Sequence, residues 1–257
     1  MKVAILAGGI GSRLAEETHA KPKPMIEIGG EPLLWHIMRY YAHHGFTDFV
    51  IALGYRGDSI KQYFRELDDR GDRHFDCGAR RFKRPIATSD RDEANWRVEL
   101  VDTGPGTNTG GRILRLAPHL IGGTFMLTWG DGVSDVDLRG LLAFHRRHGR
   151  LATVTAVRPP SRFGHLSLDG DEVIDFDEKP TVRDVWINGA YFVLEPGVFD
   201  YIDGDDTQWE RGPMQRLARD RQLMAYRHDK FWQCMDTVHD RDLLERLWDE
   251  GRAPWGV

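Results

Sequence analysis

Short apolar runs recur along the first 157 residues, and segments with a helical spacing of apolar residues separate them. The runs are four to seven residues long, which predicts buried strands at 3–7, 49–53, 98–101, 124–129 and 151–157. The intervening segments predict helices at about 32–44, 55–67, 109–116 and 136–148. This order predicts an α/β fold, with a Rossmann-like, mostly parallel sheet flanked by helices.

The pattern changes after residue 158. Alternating segments at 165–168 and 173–176 flank Asp169-Gly170-Asp171, which predicts an antiparallel hairpin. The remaining predicted elements are strands at 185–194 and 223–227, helices at 215–221 and 240–249, and a loop at 231–237. We therefore expect one domain, with a parallel part at about 1–157, a smaller antiparallel part at about 158–237 and a C-terminal helix at about 239–251.

Residues 68–97 interrupt this order. The stretch is rich in Asp and Arg and contains the basic cluster Arg80-Arg81-Phe82-Lys83-Arg84. A run of charges is ordinarily a solvated loop. We interpret it as an insertion that forms either an oligomer contact or a lid, and we expect a homo-oligomer.

Composition narrows the function classes. The chain of 257 residues is 40% hydrophobic and 29% charged, as in ordinary globular proteins, and its net charge of −5 argues against a nucleic-acid or membrane binder. Cys77 and Cys234 have no metal-type spacing, and a reducing cytoplasm fits them. We expect no secretory signal, and no apolar run approaches the ~20 residues needed to span a bilayer.

A glycine-rich loop and basic residues follow the first predicted strand. They are Gly8, Gly9, Gly11, Ser12, Arg13, Lys21 and Lys23. Glycines let the backbone approach a ligand closely, and successive N–H groups in such a loop suit an anion. The pattern favours a triphosphate site, with an ordinary strand-to-helix turn as the alternative. It is not a P-loop, because no Lys follows Gly11, and it is not a dinucleotide fingerprint, because Leu14 replaces the third glycine.

Polar residues also follow two later strands. Thr103 comes after 98–101, and Asp131 comes after 124–129 between Gly130 and Gly132. The carboxyl ends of parallel strands meet at one edge of a sheet, so these residues should lie near the glycine loop. A carboxylate beside a triphosphate is a natural Mg²⁺ ligand, although a simple turn aspartate explains Asp131 equally well on local sequence.

Three further sets have structural interpretations. His145 and His148 lie on one predicted helix, but Arg146 and Arg147 favour a solvated face over a metal site. Asp236, by itself, is best explained as a cap of the following helix. Trp129 and Trp232 lie next to the proposed site loops and fit either the core or a pocket wall.

Several short motifs together resemble those of sugar-1-phosphate nucleotidyltransferases. The shared motifs are Leu6-Ala7-Gly8-Gly9-Ile10-Gly11-Ser12-Arg13-Leu14, Lys23-Pro24-Met25, Trp129-Gly130-Asp131-Gly132, Arg162-Phe163-Gly164, Glu178-Lys179-Pro180, Ile187-Asn188-Gly189 and Met235-Asp236-Thr237. Other segments are similar to the cytidylyltransferase subgroup: Glu16-Glu17-Thr18, Lys21-Pro22, Glu27-Ile28-Gly29-Gly30, Trp35-His36-Ile37-Met38, Val101-Asp102-Thr103-Gly104 and Thr109-Gly110-Gly111-Arg112. The likeness runs from residue 1 to about 255 and is poorest in 68–97.

The resemblance implies an Mg²⁺-dependent, in-line attack of a sugar 1-phosphate on the α-phosphate of a nucleoside triphosphate. For the cytidylyltransferase subgroup the substrates are CTP and glucose 1-phosphate, and the products are CDP-glucose and pyrophosphate. Uridylyl or thymidylyl transfer, and a non-catalytic nucleotide-sensing module of the same fold, are the alternatives. No nucleic-acid or membrane partner is implied.

The resemblance also implies residue roles. The implied nucleotide-binding residues are Leu6, Ala7, Gly8, Gly9, Gly11, Ser12, Arg13, Lys23, Thr103, Gly111, Arg112 and Gly130. The implied sugar-phosphate-binding residues are Gly164, Glu178, Lys179, Asn188 and Gly189. Arg13, Lys23 and Asp131 would be catalytic: Arg13 neutralises the leaving pyrophosphate and Lys23 bridges the reacting phosphates. Asp131 and Asp236 would share one Mg²⁺.

Overall fold

The computed structural model of the protein describes residues 1–9, 21–69, 96–159, 165–177 and 185–257. Its strands are β1 (Lys2–Leu6), β2 (Glu27–Ile28), β3 (Glu31–Pro32), β4 (Asp48–Leu53), β5 (Arg97–Asp102), β6 (Phe125–Trp129), β7 (Gly132–Ser134), β8 (Ala152–Val157), β9 (His165–Asp169), β10 (Glu172–Asp177), β11 (Ile187–Leu194), β12 (Leu223–His228) and β13 (Trp232–Cys234). Its α-helices are α1 (Leu33–His43), α2 (Gly57–Asp69), α3 (Thr109–Arg115), α4 (Ala117–Leu120), α5 (Leu138–His148), α6 (Pro213–Arg219) and α7 (Val238–Asp249), and 3₁₀ helices span Lys23–Met25 and Pro196–Tyr201.

A seven-stranded sheet forms the centre of the molecule, in the order β12-β8-β11-β6-β1-β4-β5. Neighbouring strands are parallel except at β11, which runs antiparallel between β6 and β8. The predicted mostly parallel α/β fold is therefore confirmed. The carboxyl ends of β1, β4, β5 and β6 open on the same edge of the sheet, as the strand-end argument requires.

Both faces of the central strands are buried, which explains their continuous apolar sequences. In β1, Val3 and Ile5 belong to the core on one face, and Ala4 and Leu6 belong to the core on the other. Helices end where the sequence provides stop signals: Gly45 follows α1 with a φ of 89°, and Gly149 ends α5 with a φ of 62°. Asp137 begins α5 by accepting a hydrogen bond from the Gly140 N–H.

The predicted hairpin is present, because β9 and β10 pair antiparallel around Gly170. The prediction of a loop at 231–237 is wrong in part, since Trp232–Cys234 forms β13 and pairs with β7. A strand of three residues is too short to show an alternating pattern. No helix among the described residues has both the length and the apolar character needed to cross a membrane.

Several predictions fall on residues outside the described part of the chain. They concern the glycine-loop residues Gly11, Ser12 and Arg13, the sugar-site residues Gly164, Glu178 and Lys179, and most of the 68–97 insertion with its basic cluster and Cys77.

Candidate active site

A cleft of about 490 Å³ opens at the carboxyl edge of the sheet. Its lining comes from the ends of β1 and β6, from the 3₁₀ turn at Lys23, from the loop before α3 and from the segment between β13 and α7. The lining residues are Leu6, Ala7, Gly8, Gly9, Lys23, Pro24, Pro105, Gly106, Thr107, Asn108, Thr109, Arg112, Trp129, Gly130, Asp131 and Asp236. Gly8 and Gly9 of the glycine loop thus border the same cavity as Asp131, more than 100 residues away in sequence, as the strand-end argument predicts.

Lys23, Asp131 and Asp236 meet in the cleft, and we call them the Lys23 cluster. The Lys23 Nζ lies 2.5 Å from Asp236 Oδ1 and 3.4 Å from Asp131 Oδ2. The Lys23 side chain is 9% exposed, Asp236 is 16% exposed and Asp131 is 34% exposed. Two like charges therefore converge on one buried cation at the wall of an open cavity.

Short backbone elements place these three side chains. Asp131 immediately precedes β7 and Asp236 lies just after β13, and these two strands pair antiparallel. The Met235 N–H donates to the Asp131 carbonyl at 2.7 Å. This bond keeps Asp131 and Asp236 on neighbouring segments of the backbone. Lys23 begins a 3₁₀ turn after Pro22, whose extended backbone directs the chain into the cleft.

Electrostatics keep the lysine charged. Burial lowers the pKa of Lys23, but Asp131 and Asp236 outweigh it, so that the pKa of Lys23 is raised overall. Desolvation raises the pKa of Asp131, and Asp236 raises it further against the opposing charge of Lys23. Burial beside the same carboxylates also raises the pKa of Cys234 to about 12, so its thiol stays protonated.

The interpretation of Asp236 as the cap of α7 is wrong. Thr237 is the N-cap, and its hydroxyl accepts a hydrogen bond from the Asp240 N–H at 3.2 Å. The Asp240 carboxylate accepts in return from the Thr237 N–H, which completes a capping box. The helix end is therefore satisfied by residues 237 and 240, and the Asp236 carboxylate points to Lys23 instead.

The Lys23 cluster fits a divalent cation that also binds substrate. Asp131 and Asp236 both reach the same ammonium group and both line the cleft. In the part of the chain that the structure describes, no group of three or more His, Cys, Asp or Glu residues could hold a metal ion without other ligands. Two carboxylates completed by phosphate oxygens and water are a donor set that Mg²⁺ commonly uses.

Three predicted nucleotide-binding residues differ in how close they come to the cleft: Thr103, Gly111 and Arg112. The Thr103 side chain is fully buried and donates to the Leu53 carbonyl at 2.6 Å. A Cβ at Gly111 would lie 2.4 Å from the Asp205 carbonyl oxygen, so α3 packs there against another loop. Of these three residues only Arg112 reaches the lining. Their contacts with a nucleotide stay a prediction.

Asn188 and Gly189, the described part of the predicted sugar site, begin β11. The Asn188 Oδ1 accepts from the Ala190 N–H at 2.8 Å, and Ala190 has a φ of 61°. The Trp232 Nε1–H donates to the Gly189 carbonyl at 2.8 Å, which gives Trp232 a role in holding this bend. Among the described residues that line the cleft, neither Asn188 nor Gly189 is present. Their binding of a sugar stays a prediction.

Sequence reasoning missed the loop at 105–108, which lines the cleft. The loop is anchored by Asn108, whose N–H donates to the Asp205 carbonyl and whose Nδ2 donates to the Asp206 carbonyl. The signal was available, because Gly104-Pro105-Gly106 directly follows the carboxyl end of β5.

The expectation of a solvated face at His145 is also wrong. His145 is buried, with its Nδ1 2.8 Å from Thr153 Oγ1 and its Nε2 3.2 Å from Glu195 Oε1. We call His145, Thr153 and Glu195 the His145 cluster. His148 contacts the same Thr153 hydroxyl at 2.7 Å. The cluster satisfies itself, and it is no metal site.

Comparisons with known proteins identify relatives that match nearly the whole chain. Glucose-1-phosphate cytidylyltransferase of Salmonella typhi is 47% identical over 257 residues, which cover 99% of this chain and 98% of that protein. The probable glucose-1-phosphate cytidylyltransferase of Bacillus subtilis is 38% identical over the full length of both chains. The mannose-1-phosphate guanyltransferase of Emericella nidulans is 30% identical over 95% of this chain and 62% of that protein.

Solved structures show the same fold. HddC from Yersinia pseudotuberculosis superposes with a TM-score of 0.68 at 20% identity, over 96% of this chain and 99% of that one. UDP-glucose pyrophosphorylase complexed with UDP-glucose superposes with a TM-score of 0.67 at 16% identity, over 98% and 99% of the two chains. The model of the nucleotidyl transferase family matches residues 2–237. The chain therefore belongs to the nucleotidyl transferase family.

Proposed function

We propose that the protein transfers the cytidylyl group of CTP to glucose 1-phosphate and so forms CDP-glucose and pyrophosphate. The observation that carries this proposal is the Lys23 cluster, a buried cation and two carboxylates at the wall of a cleft bordered by a glycine loop. The choice of CTP and glucose 1-phosphate is supported by the near full-length identity with the cytidylyltransferases of Salmonella typhi and Bacillus subtilis.

The chemistry needs no general base. A phosphate monoester has its second pKa near about 6, so glucose 1-phosphate is largely a dianion at neutral pH. One of its oxygens forms a bond to the α-phosphorus of CTP. The bond from that phosphorus to the oxygen bridging the β-phosphate breaks, and pyrophosphate leaves with the electron pair. The protein must therefore bring two polyanions together and stabilise the charge of the transition state.

Lys23 supplies a fixed positive charge for this step. Its raised pKa keeps the ammonium protonated at neutral pH, and its burial prevents water from screening it. The backbone of Ala7, Gly8 and Gly9 borders the same cleft and binds the nucleotide. We place the α-phosphate and the incoming phosphate beside Lys23.

Asp131 and Asp236 hold the metal ion in this proposal. Mg²⁺ bound there supplies positive charge that neutralises part of the triphosphate. Asp131 and Asp236 suit this role because both carboxylates line the cleft and both reach the same ammonium group, so their oxygens lie close enough together to share one cation.

The remaining binding groups are proposed from the sequence. Gly11, Ser12 and Arg13 hold the β- and γ-phosphates, and Arg13 neutralises the leaving pyrophosphate. The sugar phosphate is held by Gly164, Glu178, Lys179, Asn188 and Gly189. The nucleotide then occupies the part at about 1–157 and the sugar occupies the part at about 158–237.

The decisive test measures pyrophosphate release with four nucleoside triphosphates and a panel of sugar 1-phosphates in the presence of Mg²⁺. We expect the highest kcat/KM for CTP with glucose 1-phosphate, and loss of the rate when EDTA removes the metal. A double variant, Asp131→Asn with Asp236→Asn, gives the background. A higher kcat/KM with UTP or dTTP than with CTP would show that the protein is a uridylyl- or thymidylyltransferase. Pyrophosphate release no faster than background with every substrate pair would contradict the proposed enzymatic activity.

We also propose a homo-oligomer in the cytoplasm, where nucleoside triphosphates are available. Four apolar side chains of the β9–β10 hairpin are more than half exposed: Leu166, Val173, Ile174 and Phe176. The hairpin is a two-stranded sheet, and a second copy offers the same apolar face to a two-fold interface. The mass in solution tests this, since Phe176→Asp should dissociate the assembly and Asp171→Asn should not.

A further inference from the structure

Arg112 joins the ends of three strands behind the cleft. Its side chain leaves α3, and the residue is only 4% exposed. The Nη1 group donates to the Leu53 carbonyl at the end of β4, and to Thr103 Oγ1 and the Gly104 carbonyl after β5, at 3.1, 2.7 and 2.8 Å. The Nη2 group donates to the Gly8 carbonyl after β1 at 3.0 Å. One guanidinium therefore contacts the backbone of all three strand ends.

The backbone leaves no space around this guanidinium. A Cβ built on Gly8 would lie 2.3 Å from Arg112 Nη1, and a Cβ built on Gly54 would lie at the same distance from the same atom. These distances are far below van der Waals contact. Arg112 is thus packed between the residues that follow β1 and β4, and the two glycines are needed there because of it.

The terminal N–H groups of Arg112 are already used by protein acceptors. All four acceptors named above are uncharged, so the planar fork is oriented by hydrogen bonds and not by an ion pair. Direct bidentate binding of a phosphate would require these bonds to break. A lysine at this position could not form the same hydrogen bonds, because all the N–H groups of an ammonium are on one nitrogen and cannot reach three strand ends.

We propose that Arg112 is a positioning residue that fixes Gly8 and Gly9 relative to β4 and β5, and that position 54 must be glycine to admit the guanidinium. The Gly8 carbonyl accepts from Arg112 on one side and from the Tyr55 N–H on another, which fixes this peptide group where Gly8 and Gly9 line the cleft. This inference rests on the proposed function, because the loop is assigned to the nucleotide.

The first experiment separates shape from charge. Arg112→Lys retains the cation and Arg112→Met removes it, and both remove the fork. We expect both to lower kcat/KM for CTP by about 100-fold, the loss that a displacement of about 1 Å can cause. The KM for glucose 1-phosphate should stay unchanged at saturating CTP. Arg139→Lys, on α5, is the matched control. A Lys variant within about threefold of wild type would overturn the proposal in favour of a charge effect.

The second experiment reaches Arg112 through a residue outside the cleft lining. Gly54→Ala has no positive φ to strain, and the nearest atoms to its new methyl group all belong to Arg112. We expect a loss of about tenfold in kcat/KM in the wild type but less than about twofold in the Arg112→Met background. Gly122→Ala, where a Cβ meets nothing within 4 Å, is the matched control. Equal losses in both backgrounds would overturn the proposal.

A substrate-free readout distinguishes failure of this inference from failure of the proposed function. The wild type, Gly54→Ala, Arg112→Met and the double variant are compared by melting temperature and by hydrogen exchange at the Gly8 and Gly9 amides. Coupling between positions 54 and 112, with faster exchange in each single variant, supports the positioning role even if no substrate pair releases pyrophosphate. Additive melting shifts with unchanged exchange would overturn it even if the enzyme transfers cytidylyl groups as proposed.

Discussion

Two buried polar clusters lie at opposite edges of the same sheet. The Lys23 cluster lies at the carboxyl ends of β1 and β6, on the cleft. The His145 cluster lies at the other edge, where Thr153 is near the start of β8 and Glu195 follows the end of the antiparallel β11. Both clusters combine titratable side chains from distant parts of the chain, and the Lys23 cluster opens on the cleft.

The two clusters differ in the charge state of their titratable side chains. Burial lowers the pKa of His145, so its ring is neutral and its two nitrogens are taken by Thr153 and Glu195. In the Lys23 cluster the pKa of the lysine is raised and two carboxylates compete for one ammonium. A cluster that is complete needs no ligand, whereas an excess of one charge beside a cavity indicates a binding site.

The largest expected effect comes from the carboxylates. Asp131→Asn and Asp236→Asn should each lower kcat by about 1000-fold, because each removes a carboxylate that we propose to hold the Mg²⁺ whose charge stabilises the transition state. The melting temperature should change by only a few degrees, since the asparagines keep the shape. Initial rates of pyrophosphate release and thermal unfolding measure the two quantities. Asp229→Asn, at an exposed ion pair with Arg158, is the control. Near-normal rates in saturating Mg²⁺ would remove both residues from the site.

The next effect concerns the cation. Lys23→Met should lower kcat by about 100-fold. Since Lys23 lowers the pKa of Asp131, its loss should also move the acid limb of the pH–rate profile to higher pH. Lys21→Met is the control, because Lys21 lies only two residues from Lys23 in sequence but is exposed and paired with Glu27. Equal losses in the two variants would show that general surface charge, and not the cluster, matters.

A third buried group, His36, extends the contrast to pH. Burial among aromatic rings lowers the pKa of His36 to about 4, and its Nε2 lies 2.7 Å from the Ile28 carbonyl. Above pH 6.5 the ring is neutral in both folded and unfolded states. Below that, the unfolded state takes up the proton first, so stability should fall by about 3 kcal/mol between pH 6.5 and 4. Urea unfolding measures this, and His36→Gln should flatten the dependence. An equally steep loss in that variant would contradict the assignment.

The smallest effect should come from the His145 cluster. His145→Leu removes the ring nitrogens that contact Thr153 and Glu195, which should cost about 1–3 kcal/mol of unfolding free energy although His148 still contacts Thr153. We expect kcat to stay within about twofold, because the cluster is on the edge away from the cleft. His43→Leu, at an exposed position, should change neither quantity. A large loss of kcat at unchanged stability would show that the two clusters are coupled.

The strands and helices were largely predictable, because their signals are local. Every helix and strand predicted within the described residues is present, with bounds that differ by one or two residues. The His145 error came from weighing sequence neighbours instead of helical neighbours. Residues 138, 141, 142 and 145 share one face of α5, and the first three are apolar, so the spacing itself placed His145 inside.

The site was predictable only in part. Strand ends and the basic residues behind the first strand indicated the glycine loop, Lys23 and Asp131, and the family resemblance added Asp236. The distances among them could not be predicted, since Lys23 and Asp236 are separated by 213 residues and their positions depend on two separate elements, the 3₁₀ turn at Lys23 and the pairing of β13 with β7. The role of Gly54 was invisible as well, because it depends on a guanidinium that comes from α3 across the sheet edge.

The capping of α7 by Thr237 and Asp240 has a consequence for how such proteins diverge. The N-terminal cap of α7 makes no demand on the side chain at 236, so a copy of the gene can lose the carboxylate that we propose to hold the metal while the encoded helix keeps its cap. One substitution, Asp236→Asn, should therefore remove most of the activity while α7 keeps its cap, so an inactive variant that still folds is expected within a single mutational step of this chain.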